Sequence, residues 1–187
     1  AKYFHIMGCS LMAAVDFGKE VVKTMYLFRN QGTKISFDPN VRLEMMHDPK
    51  VLDTVQEVFR NSNIFMPGVS ELKMITGKNS IEEAVEEAFK NEALELLVLK
   101  NGSRGSQVYT REGLALTMGV YKVEQLDATG AGDSFDAAFL CGLAQDRSLE
   151  EAAQMGAAAG ALNAAAFGPM EGHITPETVR EMIEKNR

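Results

Sequence analysis

The chain has 187 residues, of which 45% are hydrophobic and 24% charged, a composition typical of one globular domain and not of a disordered chain. Its 19 Lys and Arg residues against 26 Asp and Glu residues give a net charge of −7. No run of basic residues is long enough to neutralise a nucleic-acid backbone or an anionic membrane, so we expect neither as a partner.

The first residues and the two cysteines bear on the compartment. Residues 1–15 carry one Lys and a short apolar run, without the basic lead-in and long hydrophobic core of a secretion signal. Cys9 and Cys141 lack metal-ligand spacing and stand among small or apolar residues, so we expect buried, reduced thiols. These features predict a cytoplasmic protein. The chain opens directly inside the apolar strand "YFHIMG", which suggests that further sequence precedes it.

Short β-rich runs alternate with helical patterns through the first half of the chain. After the opening strand come "KISFD" (Lys34–Asp38), "NIFMP" (63–67) and "ELLVLK" (95–100), each preceded by a segment with helical periodicity. This alternation predicts parallel strands joined by crossover helices.

The second half begins with a hairpin pattern and continues with helices. "SQVYT", "LALT" and "YKV" predict three short strands between residues 102 and 123. Ser80 with Glu83, and Ser148 with Glu151, have the spacing of capping boxes at helix starts. Pro176 follows Thr175 and predicts the start of a last helix that runs to about residue 185.

A glycine-containing turn precedes a run of small and apolar residues in "DATGAGDSFDAAFLCGL" (127–143). Small residues at a helix start let backbone N–H groups approach an anion, which the helix dipole also attracts. Asp133 would itself repel a phosphate. It is therefore either the N-cap of the helix or a general base that takes a proton from a hydroxyl attacking phosphorus.

"DATGAGD" resembles the second signature of the ribokinase-like, or PfkB, family of carbohydrate kinases, Asp-x-Thr-Gly-Ala-Gly-Asp, with every fixed position present. "FDPNVR", "MPGVSEL" and "LKNGSRG" resemble further segments of that family in the same order. The resemblance implies a three-layer, doubly wound α/β fold with a mainly parallel sheet. Residues 1–187 would form the carboxyl-terminal part of a single kinase domain, without the family's amino-terminal part and lid. That lid would allow a homodimer.

The activity implied by the resemblance is ATP-dependent phosphorylation of a sugar or sugar-acid hydroxyl. Asp133 would be the base and contact the substrate, and the Gly130, Ala131 and Gly132 turn would be the anion hole. Two alternatives remain open at this point: a non-catalytic nucleotide-binding protein on the same scaffold, and an inactive fragment of such a kinase.

The resemblance also implies a nucleotide site, in which an ordinary left-handed turn into a hairpin is the alternative for residues 100–105. Ala157 stands where many family members have an Asn near the adenine. The residues expected at ATP are Lys100, Asn101, Gly102, Ser103, Arg104, Gly105, Ala157 and Gly160.

Metal roles follow from the same resemblance. Glu71 would orient water on Mg²⁺, or it is a surface acid favoured by the helix dipole in a first turn. Gly68 departs from the Asn usual in that segment. Asp127 and backbone carbonyls near Ala166 and Gly168 resemble the monovalent-cation (K⁺) site of some members.

Arg42 is the candidate substrate residue, because an Arg can pair with a carboxylate through two hydrogen bonds. "YFHIMGCSL" and "GPMEG" resemble the 2-keto-3-deoxygluconate kinase subgroup, in which an Arg in this segment contacts the acid group. A salt bridge from Arg42 to Asp38 or Glu44 is the alternative.

Overall fold

The computed structural model describes residues 1–41 and 48–186. The strands are β1 (Tyr3–Met7), β2 (Lys34–Asp38), β3 (Ile64–Phe65), β4 (Leu96–Lys100), β5 (Ser106–Thr110) and β6 (Gly113–Met118). The helices are α1 (Gly8–Ala13), α2 (Val15–Arg29), α3 (Pro49–Arg60), α4 (Val69–Thr76), α5 (Ile81–Ala88), α6 (Ala131–Ala144), α7 (Leu149–Ala164) and α8 (Pro176–Lys185). A short 3-10 helix covers Gly102–Arg104.

The strands form one six-stranded sheet in the order β1-β2-β3-β4-β5-β6. β1 pairs with β2, β2 with β3 and β3 with β4, all in parallel, so the predicted parallel, α/β arrangement is confirmed. Two residues join β5 to β6, a connection that only an antiparallel pair can make.

The third strand predicted for the hairpin region is wrong. Residues 121–123 are not in a strand. Tyr121 packs instead against a small apolar cluster formed by α7 and α8, which contains Ala158, Ala159 and Val179. Burial of the aromatic ring on helices has replaced strand pairing at this position.

β2 shows why the central strands form. Ile35, Ser36, Phe37 and Asp38 are all buried, as expected for a parallel strand that is covered on both faces. The Phe37 ring stacks on Phe65 of the neighbouring strand, with 5.9 Å between ring centroids. The apolar core around this sheet is contributed by β1 to β4 and α1 to α5.

Helix ends follow the sequence signals. The Ser148 hydroxyl accepts the Glu151 N–H while the Glu151 carboxylate accepts the Ser148 N–H, so that capping box is confirmed. The Ser80 hydroxyl accepts the Glu83 N–H at the start of α5. The last helix begins at Pro176 after a Thr175 cap and ends at Lys185, as predicted.

The chain divides into two compact units. The first unit comprises Ala1–Asn101 and Gln107–Ala115, and the second comprises Gly102–Ser106 and Leu116–Arg187. The second unit contains α6, α7 and α8. Within the described residues, no helix combines the length and the apolar character that a membrane span requires.

Both cysteines are free thiols, but the expectation that both are buried is wrong. Cys9 is half-buried and Cys141 is exposed. Asp133, Ala137 and Cys141 are spaced four residues apart, and together they form an exposed stripe on α6. Because the residues of this helix are mostly small and apolar, the sequence did not indicate which of its faces would be exposed.

Candidate active site

The turn before α6 requires glycine at position 130. Gly130 is the N-cap residue of the helix and has a φ of 78°, a left-handed conformation that L side chains rarely adopt. A Cβ atom on Gly130 would also lie 2.0 Å from the Pro169 carbonyl oxygen. We call residues 127–133 the Gly130 turn.

The Asp127 carboxylate organises this turn. Its Oδ1 accepts the Thr129 N–H at 2.9 Å and the Thr129 hydroxyl at 2.7 Å, and its Oδ2 accepts the Gly168 N–H at 3.2 Å. The hydrogen bond from the Thr129 hydroxyl, with those from the backbone of Thr129 and Gly168, lowers the pKa of Asp127 below its usual value. Asp127 also donates its own N–H to the Ala164 carbonyl at the end of α7.

The backbone N–H groups at the start of α6 differ in what they contact. The Ala131 N–H donates to the Ala128 carbonyl at 3.1 Å and so closes the turn itself. For the Gly132 N–H, the described residues provide no acceptor. An anion at this helix end would therefore meet the Gly132 N–H together with the positive end of the helix dipole.

Asp133 is the third residue of α6 and is exposed. The N-cap interpretation of Asp133 is wrong, because Gly130 occupies the N-cap position. An acid in the first turn is still favoured by the helix dipole. Its position at the open edge of the Gly130 turn is that of a group exposed to an incoming ligand.

α7 approaches the turn through small residues. A Cβ atom on Gly160 would lie 3.1 Å from the Ala131 carbonyl oxygen, and one on Gly156 would lie 3.0 Å from the Phe135 ring. Ala157 is half-buried one turn before Gly160. Of the two predicted nucleotide residues on α7, the structure places Gly160 directly beside the start of α6.

Residues 102–105 of the "KNGSRG" segment lie in the second unit and form a tight turn with a left-handed glycine at each end. Gly102 and Gly105 have φ values of 55° and 88°, and the Gly105 N–H donates to the Gly102 carbonyl at 3.0 Å. A Cβ atom on Gly105 would lie 2.0 Å from the Met118 carbonyl oxygen, whereas one on Gly102 would meet nothing within 4 Å. Gly105 is therefore required by local packing, while Gly102, with the exposed Ser103 and Arg104, presents an open backbone.

Lys100 and Asn101 of this segment lie in the first unit, where a buried ion pair anchors Lys100. The Lys100 ammonium lies 2.9 Å from Asp38 Oδ2, and the two side chains are 17% and 5% exposed. These residues end β4 and β2, and Asn101, which follows Lys100, is half-buried. Burial lowers the pKa of the nearby His5, although the Asp38 charge opposes this shift.

Glu71 lies in the first turn of α4, where both carboxylate oxygens accept backbone hydrogen bonds. Oε2 accepts the Gly68 N–H at 2.7 Å and Oε1 accepts the Val41 N–H at 2.8 Å. Each oxygen keeps a second lone pair that can accept a hydrogen bond from metal-bound water. Among the described residues, no cluster of three or more His, Cys, Asp or Glu side chains could hold a metal ion.

Arg42 and its alternative partner Glu44 lie outside the described residues. The other alternative partner, Asp38, pairs with Lys100. The N–H groups of Ala166 and Gly168 bind the Asn163 carbonyl and the Asp127 carboxylate, respectively.

One polar residue at the turn was missed from the sequence. Asn163 donates a side-chain N–H to the Thr129 carbonyl at 2.7 Å. It is the single polar side chain in residues 156–168, "GAAAGALNAAAFG". That isolation in an alanine-rich helix is a signal, but it gives no indication of the partner.

The mainly parallel sheet places the chain among the α/β proteins. The glycine turn that opens α6 is, by itself, the kind of helix start at which many of those proteins bind phosphate groups. The family model described as "pfkB family carbohydrate kinase" matches residues 1–176. The chain therefore belongs to the pfkB family of carbohydrate kinases.

Curated relatives include two sugar kinases. The chain is 27% identical over 188 residues to 2-dehydro-3-deoxygluconokinase of Bacillus subtilis (strain 168), a match that covers 100% of this chain and 58% of the relative. It is 29% identical over 192 residues to fructokinase-1 of Oryza sativa subsp. japonica, covering 98% of this chain and 59% of the relative. The chain thus spans less than two thirds of the length of these relatives.

A solved structure supports the same fold. A putative ribokinase II from E. coli in complex with ATP and Mg²⁺ has a TM-score of 0.93 and 30% sequence identity. The match covers 98% of this chain and 59% of that chain. The ribokinase-like fold class is thereby confirmed.

Proposed function

We propose that the complete protein transfers a phosphoryl group from ATP to a hydroxyl group of a sugar or sugar acid. The observation that carries this proposal is the Gly130 turn, in which an exposed carboxylate stands beside the open N terminus of α6. Family membership and the sugar kinases among the relatives support it. A non-catalytic nucleotide-binding protein on the same scaffold is the less favoured interpretation, because a protein without catalysis has no reason to keep a base at the position of Asp133.

Asp133 is the general base in this proposal. The substrate hydroxyl oxygen attacks the γ-phosphorus while the bond from that phosphorus to the bridging oxygen of the β-phosphate breaks, so that ADP leaves, and the Asp133 carboxylate accepts the hydroxyl proton. Since the transition state of phosphoryl transfer is loose, the proton moves late and a weak base is sufficient. The exposed position of Asp133 on the open side of α6 is compatible with a substrate that approaches from solvent.

The anion hole is formed by the backbone at the start of α6. The Gly132 N–H faces the charge that develops on the transferring oxygens, and the helix dipole adds to this stabilisation. Gly130 shapes the turn and Ala131 closes it through its bond to Ala128. This refines the expected contribution of Ala131, whose N–H already has a protein acceptor.

ATP supplies the transferred group and would bind residues 100–105, Ala157 and Gly160. The open backbone at Gly102 and the position of Gly160 beside Ala131 support this assignment. The E. coli structural relative is described in complex with ATP and Mg²⁺.

Metal ions fit two places in this proposal. Glu71 keeps one lone pair on each oxygen with which to orient water on Mg²⁺. Asp127 accepts three hydrogen bonds and keeps room for a monovalent cation, with carbonyls near Ala166 and Gly168 as its other ligands. Magnesium would neutralise phosphate charge during transfer.

The substrate assignment rests on Arg42, which stays a prediction, as do the homodimer and the cytoplasmic location. A carboxylate-bearing sugar is favoured because the first relative described above is named a 2-dehydro-3-deoxygluconokinase. Because Asp38 pairs with Lys100, one of the two salt-bridge alternatives for Arg42 already has a partner of opposite charge.

The proposal is tested by Asp133→Asn in the complete protein. We expect kcat to fall by at least about 100-fold, because the amide cannot accept the hydroxyl proton. ATP affinity and melting temperature should change little, since Asp133 is not the N-cap and is exposed. Steady-state kinetics, nucleotide titration and thermal melting measure the three quantities.

Glu150→Gln is the matched control, because Glu150 is an exposed acid in the first turn of α7. It removes the same kind of helix-dipole interaction and should leave kcat unchanged. Turnover of Asp133→Asn within about 3-fold of the unmodified protein would remove Asp133 from the mechanism.

A further inference from the structure

The side chain of Asn163 connects α7 to the Gly130 turn. It is completely buried, and its Nδ2 lies 2.7 Å from the Thr129 carbonyl oxygen. A carbonyl can only accept, so the contacting atom must be the amide nitrogen and the opposite orientation of the amide is excluded. The contact is therefore a directional hydrogen bond.

A buried Asn at position 163 lowers the stability of the folded chain. Asn163 Oδ1 has no hydrogen-bond partner among the described residues, and an unsatisfied buried acceptor destabilises a folded chain. Every other side chain in residues 156–168 is apolar or absent. An alanine at 163 would avoid this penalty, so the amide has a reason other than packing to be there.

The bond acts on the peptide that precedes Gly130. The Thr129 carbonyl and the Gly130 N–H belong to one planar unit, so fixing the carbonyl fixes the backbone entry into the left-handed Gly130. Asp127 holds the N–H and the hydroxyl of Thr129. Asn163 holds the carbonyl, which Asp127 cannot reach as an acceptor.

The backbone that carries the Asn163 side chain is closely packed. A Cβ atom on Gly172 would lie 2.7 Å from the Asn163 Cα, so the backbone at Gly172 packs directly on this residue. The end of α7 is thus closed on that side. A side chain carried by a packed helix is suited to fix a turn more precisely than a side chain on a loop.

We propose that Asn163 is a positioning residue for phosphoryl transfer, acting through the Thr129 peptide on the orientation of the N–H groups at the start of α6. The proposal rests on the proposed kinase function for its catalytic consequence. Its structural part, the control of the Gly130 turn by the Asn163 amide, is independent of that function.

The structural part is tested by amide hydrogen exchange in the complete protein without ligands. The Ala131 N–H to Ala128 bond and the Ser134 N–H to Gly130 bond report closure of the turn. In Asn163→Ala we expect the protection factors of both amides to fall by about 10-fold, as for the loss of one buried hydrogen bond. Unchanged protection would overturn the proposal.

Asn163→Asp separates the hydrogen bond from the shape of the side chain. At pH 8 the ionised carboxylate cannot donate to the Thr129 carbonyl, so protection should be low. Burial raises the pKa of an introduced carboxyl, and its protonated form can donate. Protection should therefore recover as the pH falls towards 5 in this variant alone. Absence of recovery would overturn the proposal even if Asn163→Ala fails to fold.

Asn61→Ala is the control for a lost buried amide, because Asn61 is 8% exposed and its Nδ2 donates to the Glu57 carbonyl at 2.8 Å. It should lower the melting temperature without changing exchange in residues 129–134. In kinetics, Asn163→Ala should lower kcat about 10-fold and leave ATP affinity within about 3-fold. A fall in affinity alone would contradict positioning.

The two levels of the proposal fail separately. If exchange responds as expected but Asp133→Asn turns over normally, the kinase mechanism is wrong and the positioning of the turn stands. If Asp133→Asn loses turnover but exchange at the turn does not respond to Asn163→Ala, the positioning role is wrong and the kinase mechanism stands.

Discussion

At the scale of the residue, the Asp127 charge stabilises the folded turn in a pH-dependent way. Its pKa is lower in the folded protein than its usual value of 3.8, first because of the bond from the Thr129 hydroxyl. A lowered carboxyl pKa contributes stability that is present above the unfolded pKa and is lost as the pH falls through the folded pKa. The Gly130 turn is therefore acid-labile.

We expect Asp127→Asn to flatten this acid dependence. At neutral pH the variant should melt at a lower temperature, because the amide is a weaker acceptor for three donors. As the pH falls below about 3.8 and through the lowered pKa of the folded state, the two proteins should converge, because Asp127 progressively becomes neutral as well. Melting temperatures from about pH 2 to pH 7 measure the effect. Parallel profiles for the two proteins would show that the Asp127 charge does not stabilise the turn.

At the scale of the element, local sequence patterns predicted the strands and helices, but they did not predict the long-range contacts between them. The apolar runs of β1, β2 and β4 predicted those strands because burial on both faces leaves a continuous hydrophobic sequence. β3 is shorter than predicted, Ile64–Phe65. Tyr121 was assigned to a strand because β-propensity does not reveal packing on helices.

The candidate site shows the same limit. The Gly130 turn was predictable because a contiguous motif encodes it, from Asp127 to Asp133. Asn163 was not, because its partner Thr129 lies in another segment and meets it only where α7 returns to the turn. Sequence spacing within one helix carries no information about that return.

Packing of α6 on α7 gives a test at this scale. Replacing a helical Gly by Ala stabilises an open helix by about 1 kcal/mol. At Gly156 we expect the reverse, a loss of about 1 to 3 kcal/mol, because the new Cβ would lie 3.0 Å from the Phe135 ring. Chemical denaturation of Gly156→Ala measures the free energy of unfolding.

Gly119→Ala is the control for this substitution. A Cβ atom on Gly119 would meet nothing within 4 Å, so its effect should stay within about 0.5 kcal/mol. If Gly156→Ala stabilises the protein, the close packing of α6 on α7 is not rigid and the ring of Phe135 moves aside.

At the scale of the whole molecule, the surface retains large apolar side chains. Phe167 and Met170 are 81% and 84% exposed, although both are of types normally found inside proteins. Both lie in the loop between α7 and α8, beside Gly168. Exposed apolar groups of this kind favour association with other surfaces.

We expect the double substitution Phe167→Ser with Met170→Ser to leave the melting temperature within about 2 °C of the unmodified protein, because almost no burial is lost. Self-association, followed by sedimentation at increasing concentration, should decrease. Val179→Ser on α8 is the contrasting control, since Val179 is 7% exposed and its loss should lower the melting temperature. A large destabilisation by the double substitution would show that the loop is packed.

The exposed stripe on α6 offers a site for a spectroscopic reporter. Cys141 follows Asp133 by two turns, or about 12 Å along the helix, and its thiol is exposed while that of Cys9 is half-buried. A dye that reacts with accessible thiols would label Cys141 first, without altering the Gly130 turn. Because the dye and the anion-binding end share one helix, the arrival of a nucleotide could be followed by fluorescence in real time, even in variants that have no turnover.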